Sequence, residues 1–289
     1  VSNKALQKIG VPKTDAEIIT ESILYANIRG IHTHGIGRLP LYVNKVRLGY
    51  MNPDTPLEYI ADCCGVALVD AHNGFGQVAA YRAMEMCIKK SSQYGVGVVG
   101  VRNSNNFGTA AFFGEMAAKA GMLGIIFANS SPACAPTGGY KPLLGTNPIC
   151  FAVPGSESNY PVILDMATTV AARGKIRLAA KNNEKIPFGW ALDSDGKPTD
   201  DPNEALKGTL LPIGDYKGYG ISLFVDILAG MITGSLFAGE VKPLSDQSGP
   251  SGNGHMFLTV NLACFLSKAE YEDRLNRLVT NIKNCGEPE

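Results

Sequence analysis

Along the first fifty residues apolar positions recur at helical spacing. Ile18, Ile19, Ile23, Leu24, Ala26 and Ile28 follow the capping-box pattern Thr14-Asp15-Ala16-Glu17, which predicts a helix running to about Arg29 and ended by Gly30. GRLPLYVNKVRLG predicts a second helix: Pro40 fits only in a first turn, and Gly49 stands where a C-terminal cap belongs. From about residue 66 the texture changes. Short β-branched runs (GVALVD, VGVVGVR, LGIIFAN, PVILDMA) alternate with helical stretches (QVAAYRAMEMCIKKSSQY, TAAFFGEMAAKA, TVAARGKIRLAA), the pattern of an α/β sheet layered between helices. GWALD precedes the turn residues DSDG. A long apolar helix is expected near 218–235, a strand at HMFLTVNL and a charged helix near 268–284. SDQSGPSGNG, residues 245–254, reads as a flexible link or lid. Three parts follow: a mainly helical 1–65, an α/β domain over 66–240, and a 241–289 segment of link, strand and C-terminal helix packing back on the helical part.

Composition narrows the function. With 26 Lys plus Arg against 26 Asp plus Glu in 289 residues, the chain has no global field for nucleic acid or an anionic membrane. A small neutral or anionic ligand held by local charges fits better. Seven cysteines in apolar surroundings, without a Cys-x-x-Cys, form no disulfide framework and point to a reducing, cytoplasmic setting. The opening VSNKALQKIGVPKTDAE carries no signal-peptide pattern. Residues 221–239 come nearest to a membrane span, but Asp226 and three glycines interrupt them, so a buried helix is expected.

Gly95-Val96-Gly97-Val98-Val99-Gly100 formally satisfies the dinucleotide fingerprint G-x-G-x-x-G. Its glycines lie inside a β-branched run, so they cannot present helix N–H groups to a phosphate and instead mark close packing of a strand. No nucleophile elbow, phosphate-binding loop or His-Glu-x-x-His occurs. What remains is a set of polar residues at glycine-rich joints: IHTHGIGR at 31–38, RNSNNFG at 102–108, FANSSPACAPTGG at 127–139, LGTNP at 144–148, LDMATT at 164–169 and DYKGYG at 215–220. IHTHGIGR admits three readings. As a metal clip, His32 and His34 need a third ligand, and no clustered ligand pattern supplies one, so no metal is assigned. As a loop, it simply joins two helices. As a catalytic element, a helix beginning near Thr33 places His34 and Arg38 four apart on one face. There an imidazole can exchange a proton beside a carbonyl or hydroxyl, and a guanidinium can hold a carboxylate.

These residues resemble the malate/L-lactate dehydrogenase family that lacks the ordinary Rossmann fold, whose members include ureidoglycolate and sulfolactate dehydrogenases. The match runs in order through RGIHTHGIGRLPLYV, DAHNGFGQVAA, VVGVRNSNNFG, GGYKPLLGTNPICFAVP, ILDMATTVAARGKI, IPFGWALDSDGKPTDDP and LLPIGDYKGYGISLFVDILAGMITG. The resemblance implies a three-layer α/β/α fold with a mixed sheet, a non-Rossmann nicotinamide-binding fold with helical parts. It also implies a homodimer with the active site at the subunit interface. It gives His34 the proton-transfer role and Arg38 the substrate carboxylate, with Thr146 as a further substrate contact. Ser130, Asp165, Met166, Ala167 and Lys217 fall on positions resembling the family's contacts to NAD or NADP, NAD being favoured. For Asp165 and Lys217, an ion pair or a place at a helix start is the alternative reading.

The chain departs from the family pattern at Asn106, where many members carry a histidine that in ureidoglycolate dehydrogenase is the proton acceptor, since an amide holds a hydroxyl or carbonyl but exchanges no proton near neutral pH. Thr33 replaces the usual serine and keeps the hydroxyl. The region near 240–254 is usually longer, and the family extends past the equivalent of Glu289. The expected activity is hydride transfer between a nicotinamide and C2 of a small 2-hydroxy or 2-oxo acid, malate or lactate foremost, with ureidoglycolate dehydrogenase and cyclic imine reductase as alternatives. In that scheme His34 serves as acid/base, and Asn106 and Thr146 orient the reacting oxygen. Two other classes are a catalytically weakened cofactor-binding protein, suggested by Asn106, and a metal-dependent hydrolase or lyase using His32 and His34.

Overall fold

The computed structural model describes residues 2–286. It opens with α1 (Ser2–Gln7) and α2 (Lys13–Ile28). Pro12 occupies the N-cap position of α2 with no side-chain cap, so Thr14 lies inside the helix and the expected capping box does not form. Two 3₁₀ turns follow, His32–His34 and Ile36–Arg38, and α3 runs Leu39–Arg47. The helix expected to begin near Thr33 therefore starts six residues later. The cause is Asn27, whose Oδ1 accepts the Ile36 N–H at 2.8 Å and takes it out of the helical ladder. A Cβ on Gly35 would lie 1.6 Å from that oxygen, so only glycine fits between the two turns. Pro40 sits in the first turn of α3, and Gly49, at φ +73°, follows its end, as the sequence predicts.

The middle of the chain alternates as expected: β1 (Glu58–Cys63), β2 (Val66–Asp70), α4 (Gly76–Tyr94), β3 (Val96–Ser104), α5 (Ala110–Lys119), β4 (Met122–Ala128), β5 (Ile149–Val153) and β6 (Val162–Met166). An outlying unit follows, with α6 (Arg173–Asn182), β7 (Ala191–Leu192), β8 (Pro198–Thr199), α7 (Pro202–Lys207) and β9 (Thr209–Leu210). Then come α8 (Tyr216–Asp226), continued by a π turn over Ile227–Met231, β10 (Asn253–Asn261) and α9 (Lys268–Lys283).

Seven strands form one mixed sheet in the order β1-β2-β3-β10-β4-β5-β6, in which β2 and β3 are parallel and every other pair is antiparallel. Helices α4 and α5 pack on one face, and the π turn after α8 packs on the other. Of the glycines of GVGVVG, Gly95 is the left-handed C-cap of α4 at φ +80°, and Gly97 and Gly100 lie within β3, three apart and so on opposite faces. A Cβ on Gly97 would meet the Cys87 carbonyl of α4 at 2.3 Å, and one on Gly100 would press on Thr233 at 3.2 Å. They mark the closeness of both helical layers rather than a phosphate site.

Three apolar clusters hold these layers. Val69, Val99, Val101, Phe113, Ile126 and Phe257 join the sheet to α4 and α5. Leu6, Ile19, Ile23, Tyr42, Phe75 and Leu244 tie the N-terminal helices to the start of α4. Ile176, Ile186, Ala191 and Leu210 fill the outlying unit. The segment expected to be a flexible link is instead pinned across α3. Leu244 and Ser251 are buried, the Lys45 ammonium donates to the Gly249 carbonyl at 2.7 Å, and the Lys242 N–H donates to the Ser251 carbonyl. Helix α9 begins with a formed capping box, Ser267 with Glu270, and Tyr271 donates to the Pro154 carbonyl in the β5–β6 loop.

Candidate active site

His34 ends the first 3₁₀ turn and keeps some solvent contact, with Nδ1 3.0 Å from the Thr33 hydroxyl. A hydroxyl can donate to or accept from that nitrogen, so Thr33 supports either tautomer and leaves Nε2 as the reactive atom. Burial, and secondarily the Arg38 charge, lower the His34 pKa from 6.5 to about 4. The imidazole is therefore neutral at physiological pH. Arg38, at the end of the second turn, donates through Nε to the Thr33 carbonyl at 2.6 Å. Among the described residues no carboxylate pairs with it, so the rest of the guanidinium remains available to an acid. The two side chains are thus gathered by paired 3₁₀ turns and one backbone bond, not by a shared α-helical face.

Asn106 follows β3, and its Oδ1 accepts the Gly108 N–H and the Tyr42 hydroxyl, both at 3.2 Å. A backbone N–H can only donate, which fixes the amide with oxygen toward Gly108 and leaves Nδ2 as a donor without a partner among the described residues. Tyr42 comes from α3, one turn beyond Arg38, and is fully buried. Burial pushes its phenol up to about 12, so it stays protonated and donating. Beside it lies the buried side chain of Gln77, 1 % exposed, close enough to the Tyr42 phenol to act on it.

A second set of polar residues meets across the far half of the sheet. The Ser130 and Thr146 hydroxyls are 3.2 Å apart, and Ser130 Oγ also accepts the Thr146 N–H at 2.9 Å. Thr168 donates its N–H and its hydroxyl to the Thr146 carbonyl, which sets Met166 and Ala167 beside this pair. The Ile213 N–H in turn donates to the Thr168 carbonyl, bringing up the start of α8 and Lys217. Asp165 faces the other way. Its Oδ2 accepts the Ala111 N–H at 2.8 Å, satisfying an orphan donor in the first turn of α5, and desolvation raises its pKa. Because α5 begins just after Asn106, Asp165 ties the two sets together.

The second set suits a nicotinamide dinucleotide in its donor chemistry. The N-cap residue of α8, Asp215, makes no side-chain cap, and the exposed Lys217 ammonium stands in the first turn of that helix as a cation within reach of a phosphate. Ser130 and Thr146 add hydroxyls at the neighbouring joint. The family model for malate/L-lactate dehydrogenase matches residues 1–289. The chain belongs to that family. The dehydrogenase is 40% identical to malate/(S)-sulfolactate dehydrogenase of Methanothermus fervidus over 98% of its own length and 83% of that protein. It is 36% identical to ureidoglycolate dehydrogenase (NAD(+)) of Escherichia coli K12 over 98% of its own length and 80% of that protein. Its structure matches sulfolactate dehydrogenase from Methanocaldococcus jannaschii with a TM-score of 0.93 and 41% identity, over 100% of this chain and 83% of that one.

Within the dehydrogenase the predicted residues therefore fall into two sets. Arg38 and Asn106 both bear on Tyr42, with His34 beside Arg38, while Ser130 and Thr146 are hydrogen-bonded to one another and to Thr168, which Met166 and Ala167 precede, and Lys217 follows Ile213 by four residues. Sequence reasoning missed Tyr42 and Gln77 as site residues. The available signal was the spacing of Tyr42 four residues after Arg38 in LPLYV. Among the described residues no three metal-ligating side chains cluster, His32 is exposed, and His72 is engaged by Glu58 at 2.7 Å. Among the described residues no helix is long and apolar enough to cross a membrane. A separate cavity of about 890 Å³ opens between α9 and the β5–β6 loop, lined by Lys119, Tyr160 and Tyr271, and shares no residue with either set.

Proposed function

We propose that the dehydrogenase oxidises and reduces a small 2-hydroxy/2-oxo acid pair at C2, malate foremost and lactate next, with NAD or NADP. The observation that carries this reading is a guanidinium without a carboxylate partner among the described residues beside a neutral imidazole, with a fixed amide donor linked to them through Tyr42: a grip for a carboxylate, a base for a hydroxyl and a hydrogen bond for the same oxygen. A bound nicotinamide supplies or takes up the hydride. Arg38 holds the carboxylate, Asn106 Nδ2 donates to the C2 oxygen, and His34 Nε2 takes the hydroxyl proton during oxidation and returns it during reduction. Tyr42 keeps the Asn106 amide turned the right way. Thr146 and Ser130 stand between substrate and cofactor, with Met166, Ala167 and Lys217 on the cofactor side.

The working unit in this proposal is a homodimer with its active site at the subunit interface. Supporting it, α8 and its continuation expose Tyr216, Phe224, Met231 and Ile232, each more than half accessible, next to the helix start that carries Lys217. The seven cysteines suit a reducing cytoplasm. The test follows reduced nicotinamide by absorbance with both cofactors and a panel of 2-hydroxy acids, each beside its carboxamide. Activity on acids but not amides, and loss of about a hundred- to ten-thousand-fold in turnover in His34→Ala, is the expected result. Equal turnover of acids and amides, or near-normal turnover in that variant, refutes it.

A further inference from the structure

We propose that His255, on β10, is a positioning residue that holds the Asn106 loop in its working shape from beneath. The inference rests on the reading of Asn106 as the donor to the reacting oxygen. His255 is 1 % exposed, in the centre of the sheet between β3 and β4. Its Nε2 lies 3.0 Å from the Ser104 hydroxyl and 3.2 Å from the Asn105 carbonyl, and its ring centroid lies 4.7 Å from that of Phe107. One imidazole thus touches the three residues that flank Asn106, on both sides of it.

A carbonyl only accepts, so Nε2 carries the proton and Nδ1 keeps a bare lone pair, for which the structure offers no partner. A phenylalanine or leucine would avoid that desolvation. The imidazole combines two features an apolar side chain lacks together: an aromatic face for Phe107 and a donor that reaches the Asn105 backbone. The same loop is closed from the opposite side. The Asn105 amide donates to the Asn73 and Gly74 carbonyls, and a Cβ on Gly76 would lie 2.1 Å from the Asn105 carbonyl and 2.6 Å from that of Asn106. With His255 on one side and the start of α4 on the other, the peptide preceding Asn106 has no freedom to turn, and the amide reaches Gly108 and Tyr42 from a fixed base. His255 is too deep to meet substrate. Its influence passes through Asn106.

The experiment is a double-mutant cycle on the enzyme with its cofactor and the 2-hydroxy acid it turns over fastest, using His255→Phe, Asn106→Ala and the pair, with His255→Gln as the variant that keeps a donor. His255→Phe should lower kcat about ten-fold with KM within about two-fold, and His255→Gln should recover most of the loss. The pair should be no slower than Asn106→Ala alone, because a side chain acting through Asn106 has nothing left to position. If His255→Phe does not fold, His255→Asn, whose amide is too short for the Asn105 carbonyl, replaces it in the cycle. A slow Asn106→Ala whose loss multiplies with that of the His255 variant overturns the inference alone, as does a His255 variant with wild-type kcat. A wild-type kcat in Asn106→Ala overturns the reading of Asn106, and the inference falls with it.

Discussion

The lowered pKa of His34 separates this site from one built on an ordinary imidazole, and the acid limb of the oxidation reaction measures the difference. In the proposed mechanism oxidation needs the unprotonated ring, so activity is expected above the His34 pKa and lost as pH falls through it. An imidazole near 6.5 is about 91% base at about pH 7.5 and about 9% at about pH 5.5, about a tenfold fall. One at about 4 is still about 97% base at the lower pH, because burial and the Arg38 charge disfavour the cation. The assay is kcat/KM for oxidation of the preferred 2-hydroxy acid, which reports the free enzyme. The lower limit of about pH 5.5 leaves the α-carboxylate, with a pKa near 3.5 to 4, ionised throughout. A fall of less than about 1.5-fold is expected. A fall of about tenfold would show that His34 is solvated as in a peptide, or that another group is the base. The reverse reaction carries the opposite sign. Reduction draws on the imidazolium, only about one molecule in a thousand at about pH 7, so its kcat/KM should rise as pH is lowered over the same interval.

Two stability measurements probe the frame around the site. His255, buried and held near 3, stays neutral in the fold where an unfolded imidazole near 6.5 charges, so its contribution is full above 6.5 and lost as pH falls toward 3. Between about pH 7 and about pH 5 this amounts to about 2 kcal/mol, and urea unfolding should show the wild type losing that much more than His255→Phe; equal losses would place the ring in water. Asp165→Ala removes the acceptor for the first turn of α5 and should cost about 1 kcal/mol in the same assay. An unchanged urea midpoint would show that the carboxylate does not hold that helix.

Local pattern made much of the fold legible. The β-branched runs became β2, β3, β4 and β6, and Pro40 and Gly49 bracket α3 because their backbone chemistry acts within a few residues. Elements decided by distant partners were not legible in the same way. β1 is exposed at every position and so shows no alternation of burial, while β5 hides in the apolar run after LGTNP. The Thr14 capping box lost to Pro12, whose fixed φ already starts the helix, and the helix expected near Thr33 lost to one amide of Asn27. Both failures come from competition for a helix start, where one hydrogen bond decides between turn types of similar energy.

The same distinction orders the candidate site. His34 and Arg38 are neighbours along the chain, so their association is visible in IHTHGIGR even though the turn type is not. Asn106 reaches them only through Tyr42, and the position of β10 between β3 and β4 brings His255 under the Asn106 loop from about 150 residues away. That crossover is a property of the folded sheet, because an antiparallel strand pairs with whichever edges its apolar faces and loops allow. In the proposed site the donor to the substrate oxygen comes from an amide that either end could present. The Gly108 N–H selects the end, Tyr42 reinforces it, and His255 holds the peptide from which the amide projects. If that is how the proposed site keeps its geometry, Asn106→His should lower kcat/KM rather than raise it: the Gly108 N–H and Tyr42, placed for an amide oxygen, would meet a ring of different reach.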